Sequence, residues 1–290
     1  MSGTETIEGI EVRVTRTPGA PLIMLVRMAS PTAGVWQTVW DDLARHFTVA
    51  SFDLQQIPSA RAMDDLGAVL RDSARACADV ASALDVERFH LFGWNGGTQV
   101  AMRCAVDCAD RVASLLLLDP FHELPDMRPV ETAVRFKQLL HANDRELYAY
   151  YWVMAGLTDA FIGSRFDEVE RLARARIQSD SLLAQDTGRF MRWVRGLRRN
   201  WLGDDEFARI QAPTLILATE LDRWSAGPSI AMAKEVQARI RGAELRVIEN
   251  AGGHFLIEDP GRFLSLAEPF LIRVPPPDEP SATSRQPGLI

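Results

Sequence analysis

Short apolar runs alternate with longer stretches of helical periodicity along most of this 290-residue chain, the pattern of a mainly parallel sheet covered on both faces. Ile10 to Arg16 alternates like a strand with one wet face, and Leu22 to Val26 is a continuous apolar run of the buried kind. Val35 to Ala44 predicts a helix, with Trp36, Trp40 and Leu43 at helical spacing, and His46 to Phe52 a strand that closes at Asp53. A long amphipathic helix is expected over Ala62 to Leu84, where Leu66, Leu70, Ala74, Ala78 and Ala81 share one face. Arg88 to Phe92 is the next strand, Thr98 to Asp110 the next helix, and Val112 to Leu118 a further buried strand ending at Asp119-Pro120.

Between Phe121 and Arg209 the strand rhythm stops and helical patterns take over. This predicts a helical cap, 121–209, inserted into a core made of 1–120 and 210–273. The rhythm resumes with a strand over Thr214 to Ala218, a helix over Ile230 to Ile240, a strand over Leu245 to Ile248 and a closing helix over Pro260 to Leu271. Residues 274–290 are rich in proline, serine and polar side chains and read as a disordered tail. The expected fold class is therefore α/β, a mainly parallel sheet flanked by helices with an inserted helical cap. All three tyrosines, Tyr148, Tyr150 and Tyr151, fall in the insertion beside Trp152, with Trp193 and Trp201 further on. Such rings either line a pocket or fasten the insertion to the core.

Composition narrows the partners. A net charge of -7 gives no general footprint for nucleic acid or an anionic membrane surface, and no apolar run reaches the roughly 18 residues that cross a bilayer. The start of the chain lacks a charged region followed by an apolar stretch, so no secretion signal is read there. Three cysteines, Cys77, Cys104 and Cys108, suit reduced core thiols and a cytoplasmic location. Cys104 and Cys108 lie one turn apart but lack further ligands at metal-binding spacing, so neither a metal nor another cofactor is expected. A small-molecule substrate is the expected partner, with a carrier protein or a second copy of the chain as further candidates. Arg189, Arg192, Arg195, Arg198 and Arg199 recur at helical spacing. That basic stripe would receive an acidic substrate or carrier helix, or form a solvated face paired with the acids of Asp167 to Glu170.

The chemistry centres on Gly93-Trp94-Asn95-Gly96-Gly97, set between a buried strand and a helix. It has the layout of the strand-to-helix turn G-x-S-x-G, with asparagine where the nucleophile stands. Further on, Leu217-Ala218-Thr219-Glu220-Leu221-Asp222 ends a strand in an acid, Asn250-Ala251-Gly252-Gly253-His254-Phe255 places a histidine in a glycine-flanked loop, and Glu258-Asp259-Pro260 starts a helix. With these landmarks in this order, the chain from Ile10 to Leu271 resembles the α/β-hydrolase fold superfamily. The resemblance implies that His254 is the base and Asp222 the acid that orients it, while the position of the attacking group is held by Asn95. A histidine titrates near neutrality and can take and return a proton, and a carboxylate on its other nitrogen fixes the tautomer. Asp119 is the second-choice acid, since some relatives carry the acid there. His90 reads as structural, and His46 and His141 as surface or cap residues.

The family also runs its first buried strand into His-Gly, whereas this chain has Arg27 and Met28. Backbone donors survive such changes, so the expected oxyanion or substrate-binding group comprises Gly96 N–H and Ala29 N–H, with Met28, Arg27 and Trp94 around them. Arg27 brings a planar cation suited to a carboxylate or enolate-like oxygen, or to a structural acid. The glycine-rich turn after Asp53 is replaced by Leu54-Gln55-Gln56-Ile57-Pro58. Three readings of Asn95 follow. One is an enzyme for a small, partly apolar carbonyl or ester-like compound that uses a His-Asp base without a serine nucleophile, in lyase, cyclase or non-covalent hydrolase chemistry. Another is a non-catalytic binding or interaction protein. The last is an aspartate nucleophile produced by deamidation of Asn95, or an inactivated serine or aspartate hydrolase.

Overall fold

The computed structural model describes residues 2–27, 36–59, 65–120, 122, 128–178, 196, 200–222 and 229–274. Eight strands form one sheet: β1 Ser2–Ile7, β2 Ile10–Thr15, β3 Leu22–Arg27, β4 Thr48–Phe52, β5 Phe89–Trp94, β6 Val112–Leu118, β7 Thr214–Thr219 and β8 Glu244–Ile248. Their order is β1-β2-β4-β3-β5-β6-β7-β8. β1 pairs antiparallel with β2 and β2 antiparallel with β4, while every pairing from β4 to β8 is parallel. This is the α/β architecture expected, entered through a hairpin.

The hairpin strand β1 is an addition to the sequence reading. Its residues, Ser-Gly-Thr-Glu-Thr-Ile, carry one large apolar side chain, so no alternating pattern marks it. What fixes it is the turn: Glu8 and Gly9 both have positive φ, 50° and 78°, the conformation that a two-residue hairpin turn matched to strand twist demands.

The helices are α1 Gln37–Leu43, α2 Leu66–Ala83, α3 Gly97–Asp107, α4 Arg128–Asn143, α5 Arg145–Gly156, α6 Asp159–Ser164, α7 Phe166–Gln178, α8 Asp204–Phe207, α9 Ser229–Arg239, α10 Phe255–Glu258 and α11 Pro260–Arg273. Period-two alternation sends each central strand to two cores. Leu22, Met24 and Val26 of β3 join Leu115 and Leu117 of β6 under α2, α3 and α9. Ile23, Leu25, Leu116 and Leu118 meet α1, α10 and α11 on the other face. Burial on both faces explains why these strands read as continuous apolar runs. Strand and helix limits differ from the expected ones by a few residues at most of their described ends, as where β4 begins at Thr48 after His46-Phe47, which belong to the turn leaving α1.

Helices α4 to α7 all lie between β6 and β7 in the chain, where helical patterns replaced strands. A small core of their own contains Ala149, Trp152, Val153, Leu157, Phe161, Val169 and Ala173. Asp144 and Thr158 cap α5 and α6 by accepting N–H bonds from Leu147 and Phe161. Where the chain leaves β6, fully buried His122 packs against Trp201 and Phe207, with ring centroids 5.4 and 4.9 Å away. Arg239 of α9 bonds to its Nε2. The arginine stripe at Arg189, Arg192, Arg195, Arg198 and Arg199, together with Trp193 and the tail 275–290, lies outside the described residues. Glu168 and Glu170 pair with Arg171 and Arg174 of their own helix.

Candidate active site

β5 ends at Trp94 and α3 begins at Gly97, so the turn between them occupies two residues. Asn95 has φ 49°, a left-handed conformation that asparagine tolerates better than most side chains. Its N–H extends the β5–β6 ladder by donating to Leu118 O at 2.9 Å, and its own carbonyl accepts from Thr98 N at 2.9 Å. Gly93 makes the crossing of strand and helix close enough: a Cβ there would lie 2.8 Å from Ala101 Cβ and 2.9 Å from Gly97 O. Strand, two-residue turn and helix therefore follow one another closely around the asparagine.

Its chemistry is changed in a second way. Gly96 N–H, one of the expected oxyanion donors, donates to Asn95 Oδ1 at 2.8 Å. That bond fixes the amide flip, so the Nδ2 end, a donor only, is the one directed away from Gly96. Of the remaining expected donors, Arg27 is the last residue of β3 and stands beside Trp94 in register, while Met28 and Ala29 lie outside the described residues.

His254 is 3% exposed and sits between two indoles. Trp94 lies 6.1 Å away edge-on and Trp152 of α5 4.8 Å away, tilted by 40°. Trp94, next to Asn95, thus links the elbow to the histidine loop. The buried Arg176 guanidinium also lies 4.3 Å from the Trp152 ring centroid, a contact in which a cation meets the ring's negative face. Trp152 thus contacts both the imidazole and the guanidinium. Trp152 therefore packs against His254, while Tyr148 packs on His141 and Tyr151 on Phe136. The contact of Arg176 with Trp152 was not legible in the sequence, because it depends on how α7 packs against α5.

Asp222 follows β7 on a loop laced to that of His254: Glu220 N–H donates to Ile248 O, Leu221 N–H to Ala251 O and Asn250 N–H to Glu220 Oε2. Asp119 is 3% exposed with φ 48°. Its Oδ1 accepts from Thr219 N at 2.8 Å, Thr219 Oγ1 at 3.0 Å and Ser229 Oγ at 2.9 Å. Burial, reinforced by nearby Asp222, pushes its carboxyl up to about 8 against those donors. The half-buried Lys137 of α4 is pushed down to about 8, chiefly by desolvation, with Asp222 opposing and Arg176 adding to the shift. Sequence reasoning missed Lys137, which α4 brings within electrostatic reach of Asp222.

The other histidines lie apart from this group. His90 is buried in β5, its Nδ1 2.8 Å from Ser114 Oγ, and burial and then Arg88 push it down to about 4. His122 belongs to the Arg239 cluster and is likewise lowered to about 4 by burial and then Arg239. His46 is exposed and His141 half-buried. The cysteines are free thiols; Cys77 and Cys104 are buried and Cys108 is half-buried at the end of α3. Among the described residues, no helix is long and apolar enough to cross a membrane.

The sequence matches the model of the alpha/beta hydrolase family over residues 18–266. No curated protein matches it. Among solved structures, it is similar to a 2-hydroxy-6-oxo-6-phenylhexa-2,4-dienoate hydrolase from Rhodococcus sp. strain RHA1, with TM-score 0.76 and 15% identity over 93% of this chain and 99% of that one. An enol-lactonase from Burkholderia xenovorans LB400 has TM-score 0.69 and 16% identity over 93% of this chain and all of its own. An N-acyl homoserine lactone degrading enzyme has TM-score 0.68 and 20% identity over 92% of this chain and all of its own.

Proposed function

The chain belongs to the alpha/beta hydrolase family, and from that premise we propose that it is an enzyme for a small, partly apolar carbonyl or ester-like compound, working by general base rather than covalent catalysis. The observation that carries this reading is the Asn95 amide, fixed by the Gly96 N–H bond in the turn between β5 and α3 beside the histidine loop. In that role Asn95 Nδ2 donates to the substrate oxygen that gains negative charge. His254 removes a proton from water, or from a carbon next to the carbonyl, and returns it to the leaving group. Asp222 orients the imidazole. Trp94 and Trp152 supply the apolar walls, and the family's lactone- and ester-cleaving members favour a cyclic or simple ester among the candidates. The helices between β6 and β7 serve as the cap over this site.

The test is turnover of a lactone and ester panel by the full chain and by His254→Ala. Loss of at least about 100-fold, the typical contribution of a positioned base, is expected in the variant. Unchanged turnover would refute the base.

A second reading has its own observation. Gly96 N–H, one of the expected oxyanion donors, is occupied by Asn95 Oδ1, as suits a non-catalytic binding protein. A panel compound that raises the melting temperature without being turned over would favour it. The deamidation reading is decided by intact mass, since conversion of Asn95 to aspartate adds about 1 Da and creates a carboxylate nucleophile.

A further inference from the structure

Two short segments meet at the wall of the site that holds His254. One is the corner between α5 and α6, from Gly156 to Thr158; the other is the loop from Gly252 to His254. Three hydrogen bonds donated by backbone N–H groups join or bracket them. His254 N–H donates to Gly156 O at 2.7 Å. Glu258, at the end of α10, accepts Gly252 N–H through Oε2 at 2.9 Å and Thr158 N–H through Oε1. One carboxylate therefore grips both segments, and such bonds to an ionised acceptor are about twice as strong as neutral ones.

The approach is possible only without side chains. A Cβ at Gly252 would come within 2.6 Å of Gly156 O, and one at Gly156 would run into the His254 ring. Trp152, one turn earlier on α5, lies against the same imidazole. Thr158 is fixed in turn, since its hydroxyl caps α6. Any swing of this corner away from the sheet would break the bonds from His254 N–H to Gly156 O and from Thr158 N–H to Glu258 and remove one wall of the imidazole's seat.

We propose that Glu258 is a positioning residue for His254, locking the α5–α6 corner onto the histidine loop so that the helices between β6 and β7 stay fixed along this edge and the imidazole keeps a single pose. Its functional meaning rests on the reading of His254 as the base; the lock itself is tested without turnover. Substrate access then does not involve opening at this corner.

Glu258→Gln in the full chain removes one acceptor at nearly constant volume, because an amide nitrogen cannot accept. Two measurements follow: amide hydrogen exchange, and titration of the His254 ring by NMR, its signal assigned from the spectrum of His254→Gln. The His254 N–H should exchange at least about fivefold faster, the scale of one lost hydrogen bond, although its own acceptor is untouched. The ring titration should move as well, while amides of β6 and β7 keep their wild-type rates. A folded variant with unchanged His254 exchange and titration overturns the proposal. Should Glu258→Gln fail to fold, Gly156→Ala asks the same question from the other side. It should shift the ring titration and speed exchange at Thr158 and Gly252 with Glu258 intact, and unchanged values there also overturn the lock. Turnover that survives His254→Ala would refute the base while leaving these exchange results standing, so the two failures are distinguishable.

Discussion

Asn95 holds its left-handed φ at the head of α3 while its amide oxygen occupies the amide of the next residue. Replacing it by serine should release Gly96 N–H and put a hydroxyl at a turn shaped to present one. Asn95→Ser is expected to acquire covalent labelling by a fluorophosphonate ester, detected by mass spectrometry, and the native chain to show none. An unlabelled, folded variant would place His254 out of reach of the elbow. At this scale a residue's type and its neighbours' spacing were enough to mark Asn95, Asp222 and His254 as candidates. The sequence was silent on the capture of Gly96 by Asn95, which depends on a side-chain torsion. It was also silent on Glu258 as a clamp, since there the sequence showed only the start of a helix.

Elements are held by contacts that a one-dimensional pattern does not display. The crossing of β5 and α3 depends on Gly93, so Gly93→Ala should lower stability by about 1–3 kcal/mol, the usual cost of forcing a methyl group into filled space, measurable as a lower urea midpoint. Asp119 ties together the two ends of the loop that bears Asp222, through Thr219 before it and Ser229 after it. Asp119→Ala leaves three donors without that acceptor and should cost about 1–3 kcal/mol, whereas Asp119→Asn should cost less because an amide oxygen still accepts. The parallel strands were legible because both faces are buried and their apolar runs are unbroken. β1 was not, because an edge strand with Ile7 as its one large apolar residue is specified by backbone pairing with β2 and by the Glu8-Gly9 turn.

For the whole molecule, the shifted buried groups predict how stability follows pH. His90 and His122 are lowered from 6.5 to about 4, so each contributes stability that is present above about 6.5 and lost as pH falls towards 4. Asp119 is raised from 3.8 to about 8, so its contribution is full below about 3.8 and lost as pH rises to about 8. Between about 4 and 6.5 the two histidines outweigh the one acid and stability rises, at about 1.4 kcal/mol per pH unit for each net proton. Above about 6.5 Asp119 makes stability fall, and from about 7 upward Cys108, lowered from 9.0 to about 7 chiefly by its hydrogen bond with Cys104, opposes that decline. Denaturant midpoints across this range should show that maximum, and Asp119→Asn should remove the decline on the alkaline side. None of this was visible in composition, since burial of these particular groups sets both signs.

The contact of His122 with Trp201 and Phe207 brings the departure from β6 and the return towards β7 to one spot. A long stretch whose two ends meet can be exchanged as a block, because only the chain crossings at that spot must be preserved. Grafting a different set of helices between them would change what Asn95 and His254 face while β6, β7 and the turn at Asn95 keep their places.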